Sequence, residues 1–289
     1  MLSVPGVRER FIERARAVPA DILNFDLEDS VAEAEKVKAR AMVAEAIRDF
    51  PAKGRLIYVR INGLSTPHAE LDLEAVVGPW LNGINLPKAD GADDIEQLDH
   101  YLTYLEKVRG IPPGQITIIP WIETTTGLSR AYEICHASPR LIGAALGGED
   151  FVTSLGVRRT RGGVELEYPR AQVAIAARAA DLVPIDAPEA DFRDLVHFER
   201  DITHARGLGF KGKFCIHPTQ VEIANRVFAP SPEELTWARQ VVDAYEEGER
   251  QGHGAVALDG QMIDRPIVLR AHELLDWQQQ VEEQEAALR

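Results

Sequence analysis

Ile22-Leu23-Asn24-Phe25-Asp26-Leu27-Glu28-Asp29-Ser30 is an apolar run that stops abruptly at three carboxylates and a hydroxyl. That is how a buried strand reads where it opens into a polar mouth. Asp29 or Ser30 can equally cap the helix that starts near Val31, since both residue types accept hydrogen bonds from free helix N–H groups. Repetition shifts the balance toward the mouth. Other strand-like runs also end in polar residues, at Val59-Arg60-Ile61-Asn62, Leu86-Pro87-Lys88, Trp121-Ile122-Glu123-Thr124, Gly147-Gly148-Glu149-Asp150, Ile185-Asp186 and Ile216-His217.

Working outward, short apolar runs alternate with longer amphipathic segments, which is the signature of β/α units on a parallel sheet. Strands are predicted near 2–4, 21–26, 56–60, 82–86, 116–121, 141–146, 182–185 and 213–216. Helices are predicted near 7–17, 32–49, 67–77, 92–108, 127–136, 168–180, 190–207 and 218–227. Eight such units predict an α/β protein, a closed (β/α)8 TIM barrel, rather than an open doubly wound sheet. No Gly-rich phosphate fingerprint follows an early strand, which weakens a dinucleotide-binding reading.

The segment after about residue 230 does not read as another unit. Ser231-Pro232-Glu233-Glu234 is a helix start with a cap and a proline in the first turn, and the helix should run to about Gly248. A Gly-bounded stretch from Gly252 to Gly260 then leads into Met262-Ile263-Asp264-Arg265-Pro266 and a last helix. The expected organisation is a catalytic barrel over 1–230 and a C-terminal helical extension over 231–289.

The 289 residues, 45% hydrophobic and 27% charged, suit a globular protein, and the net charge of −14 argues against wrapping nucleic acid. No apolar run approaches the roughly 20 residues of a membrane span, and the N-terminus lacks a signal-peptide core, so a cytoplasmic protein is expected. Cys135 and Cys215 alone exclude a disulfide framework, and Cys215, in Lys213-Phe214-Cys215-Ile216, reads as a buried thiol.

In such barrels the active site lies at the C-terminal ends of the strands. The eight-strand reading brings Glu28, Asp29, Arg60, Lys88, Glu123, Asp150, Asp186 and His217 to that rim together. Glu123 and Asp150 come from adjacent strands beside Gly147 and Gly148, an arrangement that suits Mg2+ held by two carboxylates with water and substrate. They can also be an ordinary pair of rim acids, and His217, ahead of Pro218, can be a ligand, a base or a loop-orienting group.

These residues resemble the citrate lyase beta-subunit family within the HpcH/HpaI aldolase superfamily, which also holds malyl-CoA and citramalyl-CoA lyases. The likeness rests on Ser3-Val4-Pro5-Gly6, Asp26-Leu27-Glu28-Asp29-Ser30-Val31, Val59-Arg60-Ile61-Asn62-Gly63, Leu86-Pro87-Lys88, Ile122-Glu123-Thr124, Gly148-Glu149-Asp150-Phe151, Ile216-His217-Pro218 and the run from Asp259 to Pro266, in that order. Ser3, Trp121 and Thr125-Thr126 depart from the family pattern and bear on the substrate.

The resemblance implies a Mg2+-dependent carbon–carbon lyase that cleaves a 3-hydroxyacyl-CoA thioester, of the malyl-CoA, methylmalyl-CoA or citramalyl-CoA type, to an acyl-CoA and an α-keto acid. By family analogy Glu123 and Asp150 hold Mg2+, Arg60 contacts the substrate, and Glu123 and Lys88 contribute to the substrate site. Glu28 and Asp29 support metal waters or Arg60. Asp264 is the implied proton donor and acceptor, carried by the extension to a neighbouring subunit's site, which implies a homo-oligomer, a trimer or hexamer. Arg8, Arg10, Arg14, Arg16, Arg158, Arg159 and Arg161 are candidates for the CoA phosphates. The alternatives are the citryl-CoA lyase subunit of a citrate lyase complex, a malyl-CoA thioesterase, and a non-catalytic barrel. No nucleic-acid or membrane partner is expected.

Overall fold

Runs of Val, Ile and Leu without polar alternation are what strands buried on both faces require, and each becomes a strand of one parallel sheet. The computed structural model describes residues 1–51 and 54–288. The strands are β1 (Leu2–Pro5), β2 (Ile22–Asp26), β3 (Leu56–Arg60), β4 (Gly83–Leu86), β5 (Thr117–Ile122), β6 (Gly143–Leu146), β7 (Val183–Asp186) and β8 (Gly212–Lys213). They pair in sequence order, all parallel. The sheet closes on itself: Ser3 N donates to Cys215 O at 2.8 Å, Cys215 N donates to Met1 O at 2.9 Å, and Leu2 bridges Cys215 in parallel. This is the (β/α)8 barrel that the alternation predicts.

Period-two alternation decides what faces the lumen. Tyr58, Ile119, Trp121, Ala145, Ile185 and Phe214 form one buried cluster, with the Trp121 and Phe214 rings 4.2 Å apart. Residues two further along the same strands, Arg60 after Tyr58 and Glu123 after Trp121, therefore stand directly above this floor. By the same rule Asp186 follows the inward Ile185 and points the other way, which corrects its expected place on the rim.

The helices are α1 (Glu9–Ala15), α2 (Lys36–Arg48), α3 (Ala69–Val76), α4 (Ala92–Arg109), α5 (Thr125–Ser129), α6 (Ala131–Cys135), α7 (Gly148–Leu155), α8 (Val164–Ala179), α9 (Leu195–Gly207) and α10 (Pro218–Phe228). Two differ from expectation. The predicted helix over 127–136 is broken at Arg130 into α5 and α6. Helix α7 is extra: Gly147-Gly148 reads as a loop, yet Gly148 begins a helix with Glu149 and Asp150 in its first turn, where carboxylates favour the helix dipole.

The chain divides into two compact units, Met1–Asn225 and Arg226 onward. In the second, α11 (Pro232–Arg250) starts on a reciprocal cap: Glu234 N donates to Ser231 Oγ at 3.2 Å and Ser231 N donates to Glu234 Oε2 at 2.7 Å. The Gly-bounded stretch forms an antiparallel hairpin, β9 (Val256–Leu258) and β10 (Gln261–Ile263). Its turn is Asp259-Gly260, both at positive φ, the conformation a two-residue hairpin turn needs. Helix α12 (Arg265–Leu288) follows, and Ala238, Val241, Ile263, Val268 and Ala271 form the unit's core. Among the described residues no helix is long and apolar enough to cross a membrane.

Candidate active site

The register of β2 and β3 sets Asp26 opposite Arg60, and their side chains meet in a bidentate pair, Arg60 Nε to Asp26 Oδ1 and Nη2 to Oδ2, both 2.7 Å. Arg60 Nη1 also reaches Glu28 Oε2 at 3.1 Å, and the guanidinium lies 4.9 Å from the centroid of Trp121. A planar fork held on three sides is fixed in position and orientation, which a lysine at this site would not be. Burial alone would lift the Asp26 carboxyl, but the Arg60 charge and the hydrogen bonds outweigh it and hold Asp26 below the usual range. Burial opposes the Arg60 charge, and Asp26, Glu28 and Glu123 more than compensate, so Arg60 is a permanent cation.

Lys88 follows β4 at φ +51°, a left-handed conformation uncommon for a side-chain-bearing residue. There its backbone N–H donates to Glu123 Oε1 at 2.8 Å. Its Nζ bonds Glu28 Oε1 and lies 3.6 Å from Asp29 Oδ2 and 3.8 Å from Asp150 Oδ1. Burial lowers the Lys88 ammonium and the surrounding carboxylates raise it further, to a net increase. Glu28, bridging both cations, is itself raised because burial outweighs their attraction.

Glu123 is 1% exposed, and its Oε2 is buried without a hydrogen-bond partner. Burial, then the Asp150 charge, push its carboxyl up to about 8, against the pull of Arg60 and Lys88. Gly147 makes room for it: a Cβ there would lie 2.1 Å from Glu123 Oε2. An orphaned buried carboxylate oxygen facing a half-exposed second carboxylate is a donor set for a hard divalent cation that keeps water or ligand in its remaining positions. Among the described residues no group of three or more His, Cys, Asp or Glu is arranged for a metal; Glu123 and Asp150 are the carboxylates that could hold one here.

The structure thus brings together Arg60, Glu28, Asp29, Lys88, Glu123 and Asp150. One residue named from the sequence stands elsewhere. Asp186 is fully buried, paired with Arg170 at 2.9 Å and Lys213 at 2.5 Å, each of which also bonds Asp201. His217 Nδ1 shares a 2.8 Å hydrogen bond with Thr219 Oγ1, and its ring stacks on Phe192. Asp264 lies between β10 and α12, half-buried, its carbonyl accepting from Ile267 and Val268 N–H. Of the arginines, Arg16 pairs with Glu13, Arg161 with Asp194, and Arg159 lies 3.5 Å from both Glu149 and Glu189. Arg8, Arg10, Arg14 and Arg158 are exposed.

Sequence reasoning missed two supports. Asp26 carried no assigned role, although the alternation that points Arg60 inward points Asp26 the same way. Lys36 is buried and donates to Leu27 O at 3.0 Å and Glu28 O at 2.8 Å, fixing the backbone that carries Glu28. Its signal was a lysine at the head of the buried stripe Lys36, Ala39, Val43, Ile47. A cavity of about 600 Å3 beside Lys88 is lined by Glu28, Asp29, Lys36, Asn62 and His68 among others.

Over residues 1–218 the sequence matches the HpcH/HpaI aldolase/citrate lyase family. The chain belongs to that family. Aldolases and citrate lyase alike break carbon–carbon bonds, and by family the chain is a carbon–carbon lyase. It is 39% identical to citrate lyase subunit beta of Escherichia coli K12 over 275 residues, 95% of this chain and 91% of that protein. It is 34% identical to L-malyl-CoA/beta-methylmalyl-CoA lyase of Cereibacter sphaeroides over 288 residues, 92% of this chain and 90% of the relative. A solved family structure, CitE from Mycobacterium tuberculosis in complex with magnesium, acetoacetate and coenzyme A, superposes with a TM-score of 0.78 at 33% identity, covering 96% of this chain and 97% of that one.

Proposed function

We propose that this chain is a Mg2+-dependent lyase that cleaves a 3-hydroxyacyl-CoA thioester, of the malyl-CoA, methylmalyl-CoA or citramalyl-CoA type, into an acyl-CoA and an α-keto acid. The observation that carries the reading is the orphaned Glu123 Oε2, kept free of any Cβ by Gly147, beside Asp150 and the locked Arg60. Magnesium and coenzyme A bound to the CitE relative support the same ligands here.

Glu123 and Asp150 would hold the metal. The chemistry a bound Mg2+ supplies there is polarisation of the substrate hydroxyl that becomes the keto group. Arg60 presents a cation, already oriented by Asp26 and Trp121, to the oxygen that gains charge as the thioester becomes an enolate. A preorganised donor of this kind stabilises the transition state without reorganising. Glu28 bridges Arg60 and the Lys88 ammonium, and that ammonium, on a flexible stem, is available to an anionic group of the substrate. Asp264, supplied by a neighbouring copy in a homo-oligomer, protonates the enolate carbon on cleavage while water takes the hydroxyl proton and solvent reprotonates Asp264. On condensation Asp264 removes the carbon's proton and the new alkoxide takes one from water.

The test is the purified protein with Mg2+ and (S)-malyl-CoA or (S)-citramalyl-CoA, following α-keto acid and acyl-CoA together. Equal amounts of glyoxylate or pyruvate and acetyl-CoA, lost in Asp150→Ala, are expected. Free CoA with malate or citramalate would instead make it a thioesterase. A second reading, the citryl-thioester lyase subunit of a citrate lyase, is favoured by the higher identity to the citrate lyase beta subunits, 37–39% against 34% for the malyl-CoA lyases. Turnover of a citryl thioester on an acyl-carrier partner, with none of the free malyl-CoA or citramalyl-CoA, would establish it.

A further inference from the structure

Four carboxylates, Glu28, Asp29, Glu123 and Asp150, surround the mouth of the site, and two cations answer them. Arg60 is buried and committed to Asp26, Glu28 and the Trp121 ring. Lys88 is of a different kind. Its side chain is 39% exposed, and its Nζ stands among Glu28, Asp29 and Asp150, at 3.6 Å from Asp29 and 3.8 Å from Asp150.

Its backbone, by contrast, is pinned in the left-handed region with the N–H on Glu123 Oε1. The flexible four-carbon stem can therefore swing away while the backbone bond that fixes Glu123 stays in place.

We infer that Lys88 is a tethered counter-cation of the metal site: its ammonium balances Glu28, Asp29 and Asp150 while no divalent ion is bound, and withdraws when one enters. The inference rests on the reading of Glu123 and Asp150 as the Mg2+ donors. Two cations that share one set of carboxylates a few ångströms apart repel, so Lys88 weakens metal binding and sets the concentration at which the site fills. Metal entry in turn frees the ammonium for an anionic group of the substrate, so metal and substrate bind with positive cooperativity.

Calorimetric titration of Mg2+ into the full-length wild type, Lys88→Met, Lys88→Arg and Asp150→Asn proteins tests this without turnover. Loss of the ammonium should tighten Mg2+ binding about tenfold or more, while Lys88→Arg, which keeps the charge, stays near wild type. Equal or weaker binding by Lys88→Met overturns the inference and makes Lys88 a strut for Glu28. Unchanged binding by Asp150→Asn sinks the metal reading itself, a separate failure.

Reductive methylation of the wild-type protein, mapped by peptide mass, decides the matter even if Lys88→Met does not fold. Labelling of Lys88 should rise when Mg2+ saturates the site; constant or reduced labelling overturns the inference.

Discussion

A carboxylate oxygen buried without a partner, as Glu123 Oε2 is, loses its hydration with nothing to replace it. Glu123 therefore favours its protonated form, with its carboxyl near 8 against an ordinary 4.5. The sign follows: between those values the folded metal-free protein holds a proton that the unfolded chain has released. Stability is fully present below about 4.5 and falls as pH rises through about 8, by up to about 1.4 kcal/mol per pH unit. Chemical denaturation across that range should show the slope, and Glu123→Gln should flatten it. Near neutral pH, Mg2+ uptake should release about one proton, read from binding heats in buffers of different ionisation enthalpy, and the release should vanish in Glu123→Gln. The neighbouring Arg60 makes a different prediction. Arg60→Lys keeps the charge but loses the bidentate grip of Asp26, so kcat should drop about 10²–10³-fold with a smaller change in KM. A fall confined to KM would mean that the guanidinium serves ground-state binding alone. At this scale Arg60, Glu123 and Lys88 were legible because each ends an apolar run. Asp26 also ends its run, but only pairing across strands reveals Arg60 as its partner.

Among the elements, the strands were the most readable part of the chain, since a strand covered on both faces must be continuously apolar, and all eight lie within two or three residues of their expected bounds. Helix α7 was not readable: Gly147-Gly148 at its start carry the composition of a loop, and Gly147 is there for the space Glu123 occupies, while a Cβ at Gly148 would press on Leu166 and Ala187. Continuous apolarity marks a strand without saying which way each residue points, so Ile185-Asp186 reads as a strand end on the rim until period-two alternation from the inward Ile185 turns Asp186 away. Its surroundings give the element-scale prediction. Asp186 is buried with Arg170, Lys213 and Asp201, which tie β7 and β8 to α8 and α9. Removing one partner leaves an uncompensated buried charge, so Asp186→Ala should cost about 3–5 kcal/mol. Thermal and urea unfolding would measure it. Mg2+ affinity of the folded fraction should be unchanged, because none of the four residues touches Glu123 or Asp150 in an ion pair described above. A lost affinity without lost stability would return Asp186 to the active site. Gly147→Ala is expected to do the reverse of Asp186→Ala at the site: its Cβ collides with Glu123 Oε2, so Mg2+ binding should be abolished even in protein that still folds.

For the whole molecule, the role proposed for Asp264 raises the question of which chain would supply it. The second unit holds it between a hairpin and α12, on a core of its own, and nothing in a single sequence states which barrel it serves. If it serves a neighbour, the site belongs to the assembly, and the logic of subunit mixing applies. Asp264→Ala leaves the barrel residues intact, and Glu123→Gln leaves the extension intact. Each alone should be inactive. Co-refolded or co-expressed in equal amounts, random assembly pairs an intact barrel with an intact extension at about a quarter of the interfaces, so about a quarter of wild-type activity should return. A titration of one variant against the other should peak at equal amounts, because both intact halves are then most often adjacent. If Asp264 serves its own barrel, no mixture recovers activity, since every chain then carries one defect in its own site. Size-exclusion chromatography with light scattering of the mixture separates that result from a failure to assemble: an oligomer without activity places Asp264 with its own barrel, and a monomer that is active in wild-type form does the same.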